Sequence, residues 1–500
     1  MPDELVAGLD VGTNATKCLV CDRQGRVAAH SRQEYALQHP RQGWVEQDPE
    51  ELWGAVLHTL GQAAAQVRGR GRIAALSLSS QGGTTIVVGE DGQPLRPAIS
   101  WLDARAGDEG KRIVAELGQE AIYEAAGWEV STSLPLLHIA WLREHERETY
   151  ERAGHYLFVN DFVLSRLTGR RVMDPSDAAL TLLYDAERNQ WDARLCETAG
   201  VRWGQLSPIE DSGEPVGALL PEVAAQLGLS ADVLVVNGGH DQYCAALGAG
   251  VVTDGDVLLS CGTAWVLLAA ADRLIRDPQH TFAPGRHVLP GMWGLLCSMP
   301  AAGASMEWLV RQVVSGPDDE HPRYDLLDPN LQDPEPGAGG LLFLPLLAGI
   351  EAATMKAGLW GTLTGLSLGH TRWDVAQALM EGVALELRWI LERLRTVGYE
   401  PQVIQMVGGA TRSRLWPQIV ADVTGLRLGL PDVAEAAARG AAMLAGMGCG
   451  LYGREPPWPA EARRIEPRSG RRAAYDDLFA RFRRLEGALR EALADRATAS

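Results

Sequence analysis

Two Gly-Thr pairs and two aspartates are where the residue types of this 500-residue chain point most directly to chemistry. The first pair, Gly12-Thr13, followed by Asn14, separates two short strand-like runs, 6–11 and 17–20. Gly262-Thr263 repeats the arrangement, between an apolar run at 256–261 and another at 264–270. A tight turn of small hydrogen-bonding residues aims several backbone N–H groups and hydroxyls the same way, which is how a backbone binds phosphate. Asp10 precedes the first turn and offers the carboxylate oxygens a hard cation such as Mg²⁺ takes. The second copy has Ser260 at that place, so only the first combines a phosphate cradle with a metal ligand. Two ordinary hairpins would explain each copy alone; the repetition speaks for a duplicated domain with both turns facing one cleft.

The second aspartate, Asp241, lies in Asn237-Gly238-Gly239-His240-Asp241-Gln242. This stretch reads as a turn between a buried strand at 233–236 and a small-residue helix from Cys244. A carboxylate there is the cap of that helix or a general base, and the two roles are compatible. Gln81-Gly82, Trp101, Asp103 and Arg105 sit at or just past the ends of other strand-like runs. An aromatic wall with hydrogen-bonding side chains suits a sugar, although Asp103 and Arg105 are also spaced as a local surface ion pair.

The elements that must position these residues follow a recognisable order. Strand, strand, strand, helix (50–67, with Asp48 as N-cap and Pro49 first), strand (73–79) and then helices is the order of an α/β, RNase-H-like or actin-like ATPase domain. With the duplication, this predicts two such domains, 1–248 and 249–500, with an interdomain cleft. The first would carry the sugar site and the first phosphate loop, the second the nucleotide. A strand at 403–407 runs into Gly408-Gly409-Ala410 and a helix starting near Ser413, a gap of nucleotide size at a helix N-terminus. Pro317 to Gly340 reads as a loop excursion. A helix at 372–395 and an outer helix at 473–494 complete the chain.

Composition narrows the partners. A net charge of −18 argues against nucleic acid and anionic membranes. Seven cysteines, an odd number, make no disulfide framework, and Cys18-x-x-Cys21 lacks a second ligand pair and lies in a strand. The N-terminus carries Asp3 and Glu4 where a signal peptide wants positive charge, and the most apolar run, 341–350, is too short to span a bilayer. A cytoplasmic, reducing location is expected. There is no G-x-x-x-x-G-K-[ST] loop, and Gly12-Thr13 leads into a strand, not into the helix of a dinucleotide site.

Taken together these motifs resemble, over essentially the full length, the FGGY family of carbohydrate kinases. Carrying the resemblance are Gly8-Leu9-Asp10-Val11-Gly12-Thr13 with Lys17, Gly43-Trp44-Val45-Glu46-Gln47-Asp48-Pro49, Trp101 with Asp103 and Arg105, Gly238-Gly239-His240-Asp241, and Gly262-Thr263. Gly365-Leu366, Asp374-Val375, Ala378 to Glu381, Gly408 to Trp416, and Ala421 to Gly425 continue it. The resemblance implies ATP-dependent phosphorylation of a sugar or polyol hydroxyl, with Mg²⁺, by two actin-like domains. It makes Asp241 the base, and Gln81, Gly82, Trp101, Asp103, Arg105, Asp241 and Gln242 the sugar contacts. Gly12, Thr13, Asn14, Lys17, Gly262, Thr263 and Gly408 go to ATP; Gly303, Glu307, Gly409 and Ser413 match positions lining the nucleotide in glycerol kinases. Asp10 takes the metal.

Leu167-Thr168-Gly169, with Asp174, Ser176-Asp177-Ala178 and Thr181, is most similar to the xylulose kinases. Those enzymes carry Met-His-Gly where this chain has Gly82-Gly83-Thr84, so the sugar pocket is reshaped. A ketopentose such as D-xylulose is the expected substrate; another ketose, an alditol (glycerol, erythritol) or a sugar acid is the alternative. An actin- or chaperone-like ATPase would share the hairpins, but gives no reason for Gln81, Asp103 and Asp241 around one pocket. FGGY kinases are often dimers, so a homodimer is the default expectation.

Overall fold

The computed structural model describes residues 3–497, apart from 131–133, 317, 318, 320, 332, 352–355, 454–457 and 459–461. Two mixed sheets organise it. The first has the spatial order Pro215–Ala218, Leu234–His240, Gly71–Ser80, Asp3–Val11, Ala15–Cys21, Val27–Glu34. The second runs Ala462–Ile465, Arg427–Pro431, Val403–Gly408, Asp256–Cys261, Trp265–Ala271, Trp293–Met299, with Ala283–Arg286 added at the edge. Both place a founding strand between an antiparallel hairpin partner and two further parallel strands, and both close that far edge with an antiparallel strand. The duplication expected from the two Gly-Thr turns is therefore one of whole sheets, and the architecture is the two-domain α/β fold of actin-like ATPases.

Register decides which residues meet. Asp10, Ser79 and Gly239 lie side by side, as do Val11, Ser80 and His240. These three strands are parallel, so the residues just past their ends, Gly12, Gln81 and Asp241, share one edge of the sheet. In the second sheet Cys261 pairs with Gly408, which brings Gly262 beside Gly409.

Several boundaries differ from the sequence reading. The stretch from Asn237 is not a turn: the strand continues to His240 and the helix Asp241–Gly248 starts at once. Gly238 and Gly239 serve close packing there, since a Cβ on Gly238 would lie 1.6 Å from the carbonyl oxygen of Leu78. The helix expected near Ser413 begins at Trp416, after a 3-10 turn at Gly409–Arg412. Part of the 317–340 excursion folds as the short helix Leu327–Asn330, while 317, 318, 320 and 332 lie outside the described residues. The C-terminal helix Arg472–Ala497 buries Tyr475, Leu478 and Phe482 in the second core and is not merely an outer cover. The helix Pro49–Val67 has the expected Asp48 cap, its side chain accepting from the Glu50 amide at 2.9 Å.

The two halves meet through helices. Ala436–Gly448, from the second half, packs on the first-half strands Asp3–Val11 and Gly71–Ser80 and on the helix Asp241–Gly248. Only residues without bulk permit this approach: a Cβ on Gly440 would lie 1.9 Å from the carbonyl oxygen of Cys244, and one on Gly8 1.9 Å from that of Ala438. Among the described residues no helix is long and apolar enough to cross a membrane. The seven cysteines are free, and burial pushes the Cys21 thiol up to about 12, far from the range of a redox or metal-binding pair.

Candidate active site

Two cavities lie on either side of the second Gly-Thr turn. One, of about 340 Å³, is lined by Thr13, Gln81, Gly82, Trp101, Asp241 and Gln242 on the first-half side and by Ala264, Val266 and Leu296 on the other. The second, of about 520 Å³, is lined by Gly262, Thr263, Gly303, Glu307, Gly409 and Ser413. Gly262 and Thr263 thus face one cavity while the next residue, Ala264, faces the other. The turn is the partition between them.

On the first side the Gly12-Thr13 turn is held rigidly. The Gly12 amide donates to the Ala15 carbonyl at 3.0 Å, Trp101 Nε1 donates to Thr13 Oγ1 at 3.0 Å, and Gln47 Nε2 donates to the Thr13 carbonyl at 2.8 Å. Gln81 in turn donates to Gln47 Oε1 at 3.0 Å, which leaves Gln81 Oε1 buried without a partner. Gln47 belongs to the Gly43 to Pro49 motif and was not singled out by sequence reasoning; a strand pairing of Glu46–Gln47 with Ala98–Ile99 delivers it.

Asp241 occupies the first turn of its helix, where the helix dipole favours a negative charge. His240 Nε2 lies 3.1 Å from Asp241 Oδ1, and the backbone amide of His240 donates to Ser176 Oγ at 2.9 Å. The carboxylate is partly open to the cavity, its side chain 31% exposed. Asp10 lies below, accepting from Ser79 Oγ at 3.2 Å and facing Lys17 Nζ at 3.4 Å. Burial pushes its pKa up to about 6; Lys17 opposes that shift, and the charges of Asp241 and Glu435 add to it. Lys17 also pairs with Glu435 at 2.8 Å. Glu435 stands just before the helix Ala436–Gly448, so this ion pair ties the strand that follows the Gly12-Thr13 turn to the second half. Nothing local in sequence links residues 17 and 435; the run of Ala and Gly from 436 was the available sign that this helix is buried between the sheets.

Asp103 and Arg105 are brought together but lie behind the first cavity, not on its lining. Arg105 binds Asp103 through two hydrogen bonds of 2.8 Å, a third reaches Glu46 at 2.8 Å, and its guanidinium stacks 3.9 Å over the Trp44 ring. Both side chains are fully buried. Burial alone would raise the Asp103 carboxyl, yet the hydrogen bonds from Arg105 and the Val45 amide hold it below the usual carboxylate range. The pair braces the loop that carries Trp101 and is buried, where the sequence suggested a surface pair or a sugar contact.

At the second cavity, Ser413 Oγ donates to Asp328 Oδ1 at 2.7 Å and accepts from the Trp416 amide, which fixes the loop after Gly409. Glu307 pairs with Arg311 at 2.9 Å. Gly408 stays behind the lining in a left-handed conformation (φ +96°), where a Cβ would come within 2.6 Å of the Cys261 carbonyl oxygen. Gly12, Asn14, Lys17 and Asp10 likewise stand outside both linings, around the first turn.

Known proteins match both halves of the chain. The N-terminal domain of the FGGY family of carbohydrate kinases matches residues 5–248, and its C-terminal domain residues 257–449. The chain is 30% identical over 451 residues to a xylulose kinase of Bacillus subtilis, covering 89% of each. It is 28% identical over 455 residues to a gluconokinase of the same organism, covering 89% of this chain and 86% of that one. The crystal structure of xylulose kinase from Rhodospirillum rubrum superposes with a TM-score of 0.91 at 29% identity, covering 98% of this chain and all of the other.

Proposed function

Because the chain belongs to the FGGY family of carbohydrate kinases, and is accordingly a sugar kinase, we propose that it transfers the γ-phosphoryl group of ATP to a hydroxyl of a small ketose of the ketopentose class, such as D-xylulose. The observation that carries this reading is the partition. A cavity holding Asp241, Gln81 and Trp101 and a cavity holding Gly262, Thr263 and Gly409 are separated by one glycine-containing turn. Donor and acceptor placed on either side would meet at that turn.

Phosphoryl transfer asks a protein mainly for positioning and for neutralising charge on the transferred group. Asp241 accepts the proton of the attacking hydroxyl, held toward the cavity by its place at the helix start and by His240. The amides of the two Gly-Thr turns cradle the phosphates. Asp103 and Arg105 keep Trp101 in place and do not touch the sugar. The donor set at Asp10 suits a divalent cation: Asp10 and Glu435 share Lys17, and the charge of Asp241 also bears on Asp10, which leaves excess negative charge around a buried carboxylate. Mg²⁺, when bound, neutralises phosphate charge, and Asp10 is the residue that would hold it.

Coupled ADP release with Mg·ATP tests the function against D-xylulose, D- and L-ribulose, L-xylulose, glycerol, erythritol and gluconate. A ketopentose is expected to stimulate turnover with kcat/KM near ~10⁴ M⁻¹s⁻¹ or above. Turnover with gluconate or an alditol alone would replace the substrate class, and a steady ATPase indifferent to every sugar would overturn the reading. The pH profile supplies a second check. Below about pH 6 the Asp10 carboxyl takes up a proton and loses its affinity for a cation. The kcat/KM for Mg·ATP should therefore fall on the acid side of about 6, with the Mg²⁺ concentration for half-saturation rising as pH drops. A profile flat from pH 5 to 8 would remove Asp10 from the cation site.

A further inference from the structure

The side chain of Asp241 has little to hold it. Its Oδ1 is buried and meets no aligned donor, so the 31% exposure of the side chain lies on the Oδ2 side. Among the described residues one ionisable side chain is paired with this carboxylate: His240, whose Nε2 lies 3.1 Å from Oδ1. That is the distance of a hydrogen bond, and only the alignment is missing. Catalytic hydrogen bonds often align only in the complex with substrate.

His240 is itself tightly placed. Its side chain is 8% exposed and stands on the wall of the Asp241 cavity. Its backbone is pinned from behind: the His240 amide donates to Ser176 Oγ at 2.9 Å, and Ser176 Oγ donates to Asp174 Oδ1. Asp174 is fully buried and accepts from the Ser176 amide, the Asp177 amide and Asn160 Nδ2 at 2.8, 3.0 and 3.0 Å. The ring fills the space beside Gly82, where a Cβ would lie 2.9 Å from His240 Cδ2. Tyr243 packs on it in a T-shaped contact, centroids 6.0 Å apart. With the Cα fixed and Gly82 and Tyr243 against the ring, a small rotation about the side-chain bonds is the freedom left, and it is enough to bring Nε2–H into line with Oδ1.

Resting on the kinase reading above, we infer that His240 is a positioning residue for the base: Nε2–H holds Asp241 Oδ1 and thereby turns Oδ2 toward the acceptor hydroxyl. The hydroxyl proton passes to Oδ2 as its oxygen bonds the γ-phosphorus and ADP leaves; the Nε2 proton stays on the ring. The last torsion of an aspartate is broad, and a donor on one oxygen selects the orientation in which the other is free. Losing a hydrogen bond to a charged group costs about 10-fold or more in rate.

Two amide side chains separate this role from filling space. Glutamine places its amide nitrogen where Nε2 stands, and asparagine stops at the place of Nδ1. With the full chain, Mg·ATP and the sugar that is turned over, His240→Asn should lower kcat by about 10-fold or more, with KM for the sugar changed by less than about twofold. His240→Gln should recover at least about threefold of that loss. The decisive comparison is in Asp241→Asn, where no base is left to place: there His240→Asn should cost less than about a further twofold. A residue that only fills space costs the same in both backgrounds. Should His240→Asn fail to fold, Gly82→Ala, whose Cβ displaces the ring without removing it, takes its place; kcat should fall at least about threefold beside Asp241 and not in Asp241→Asn. Equal losses in the two backgrounds, a loss confined to KM, near-normal kcat in His240→Asn, or glutamine no better than asparagine overturns the inference and leaves the kinase reading intact. A wild type that phosphorylates no sugar overturns the kinase reading, and the inference falls with it.

Discussion

Asp241→Asn is expected to lower kcat by about 10²–10⁴-fold, the usual contribution of a positioned general base, while the fold and the affinity for sugar stay close to those of the wild type. Asparagine has the shape of aspartate, and Asp241 is the first residue of the helix Asp241–Gly248, whose N-cap position is His240 with no side-chain capping bond, so the expectation of a capping aspartate is not met and no cap is lost. Asparagine cannot accept the proton that the attacking hydroxyl must lose. The neighbouring structure does not depend on the charge: the register of Gly239 with Ser79 and of His240 with Ser80 is set by the backbone, and the His240 amide is held by Ser176. Steady-state kinetics beside a thermal melt separates the two roles. A fall in kcat with an unchanged melting temperature supports the base. Near-normal kcat would remove Asp241 from the role of base, and a collapsed melting temperature would make it a residue of the fold.

What was legible in the sequence, and what was not, follows from the range of the interactions. The two Gly-Thr hairpins are local: a turn and its flanking strands lie within about fifteen residues, and their repetition announced the duplicated sheets. The helix Pro49–Val67 was legible for the same reason, since its cap, its proline and its first acidic turn are neighbours. Asp241 and Gln81 could be placed at strand ends because parallel strands in such a sheet direct their ends to one edge. The Asp103 and Arg105 pair shows where this reasoning fails. Spacing of two gives an ion pair, but whether it faces solvent, sugar or core depends on Trp44 and Glu46, which reach it from a stretch some sixty residues earlier in the chain. The Lys17 to Glu435 contact and the burial of Ala436–Gly448 between the sheets are longer-range still. The partition of the site into two cavities depends on the relation of the two sheets and on no single stretch of sequence.

That partition has a mechanical weak point at Gly303, and Gly303→Ala should lower kcat/KM for ATP by about 10²-fold. A Cβ at this position would lie 2.0 Å from the Gly262 carbonyl oxygen, 2.9 Å from that of Thr263 and 3.0 Å from the Gly262 carbonyl carbon. These are backbone atoms of the Gly262-Thr263 turn, not ends of flexible side chains. They cannot swing aside, so either the turn or the helix Ala302–Leu309 must move by about an ångström. The helix is poorly placed to yield: it is fixed to the turn by the Ala304 amide bonding the Thr263 carbonyl at 2.8 Å, and it buries Met306 and Leu309 in the core. The turn therefore gives way, carrying Gly262 and Thr263 off the phosphates, and misplacement on this scale costs about 10²-fold when reacting groups must be aligned. The cost in stability, by overpacking, is about 1–3 kcal/mol. Because Gly303 lines the cavity proposed for the nucleotide and not the cavity of Asp241, sugar binding measured without nucleotide should be unchanged. An equal loss of both affinities would mean that the helix, and with it the whole second sheet edge, had moved instead of the turn. Wild-type kinetics with ATP would mean that this turn does not hold the phosphates at all.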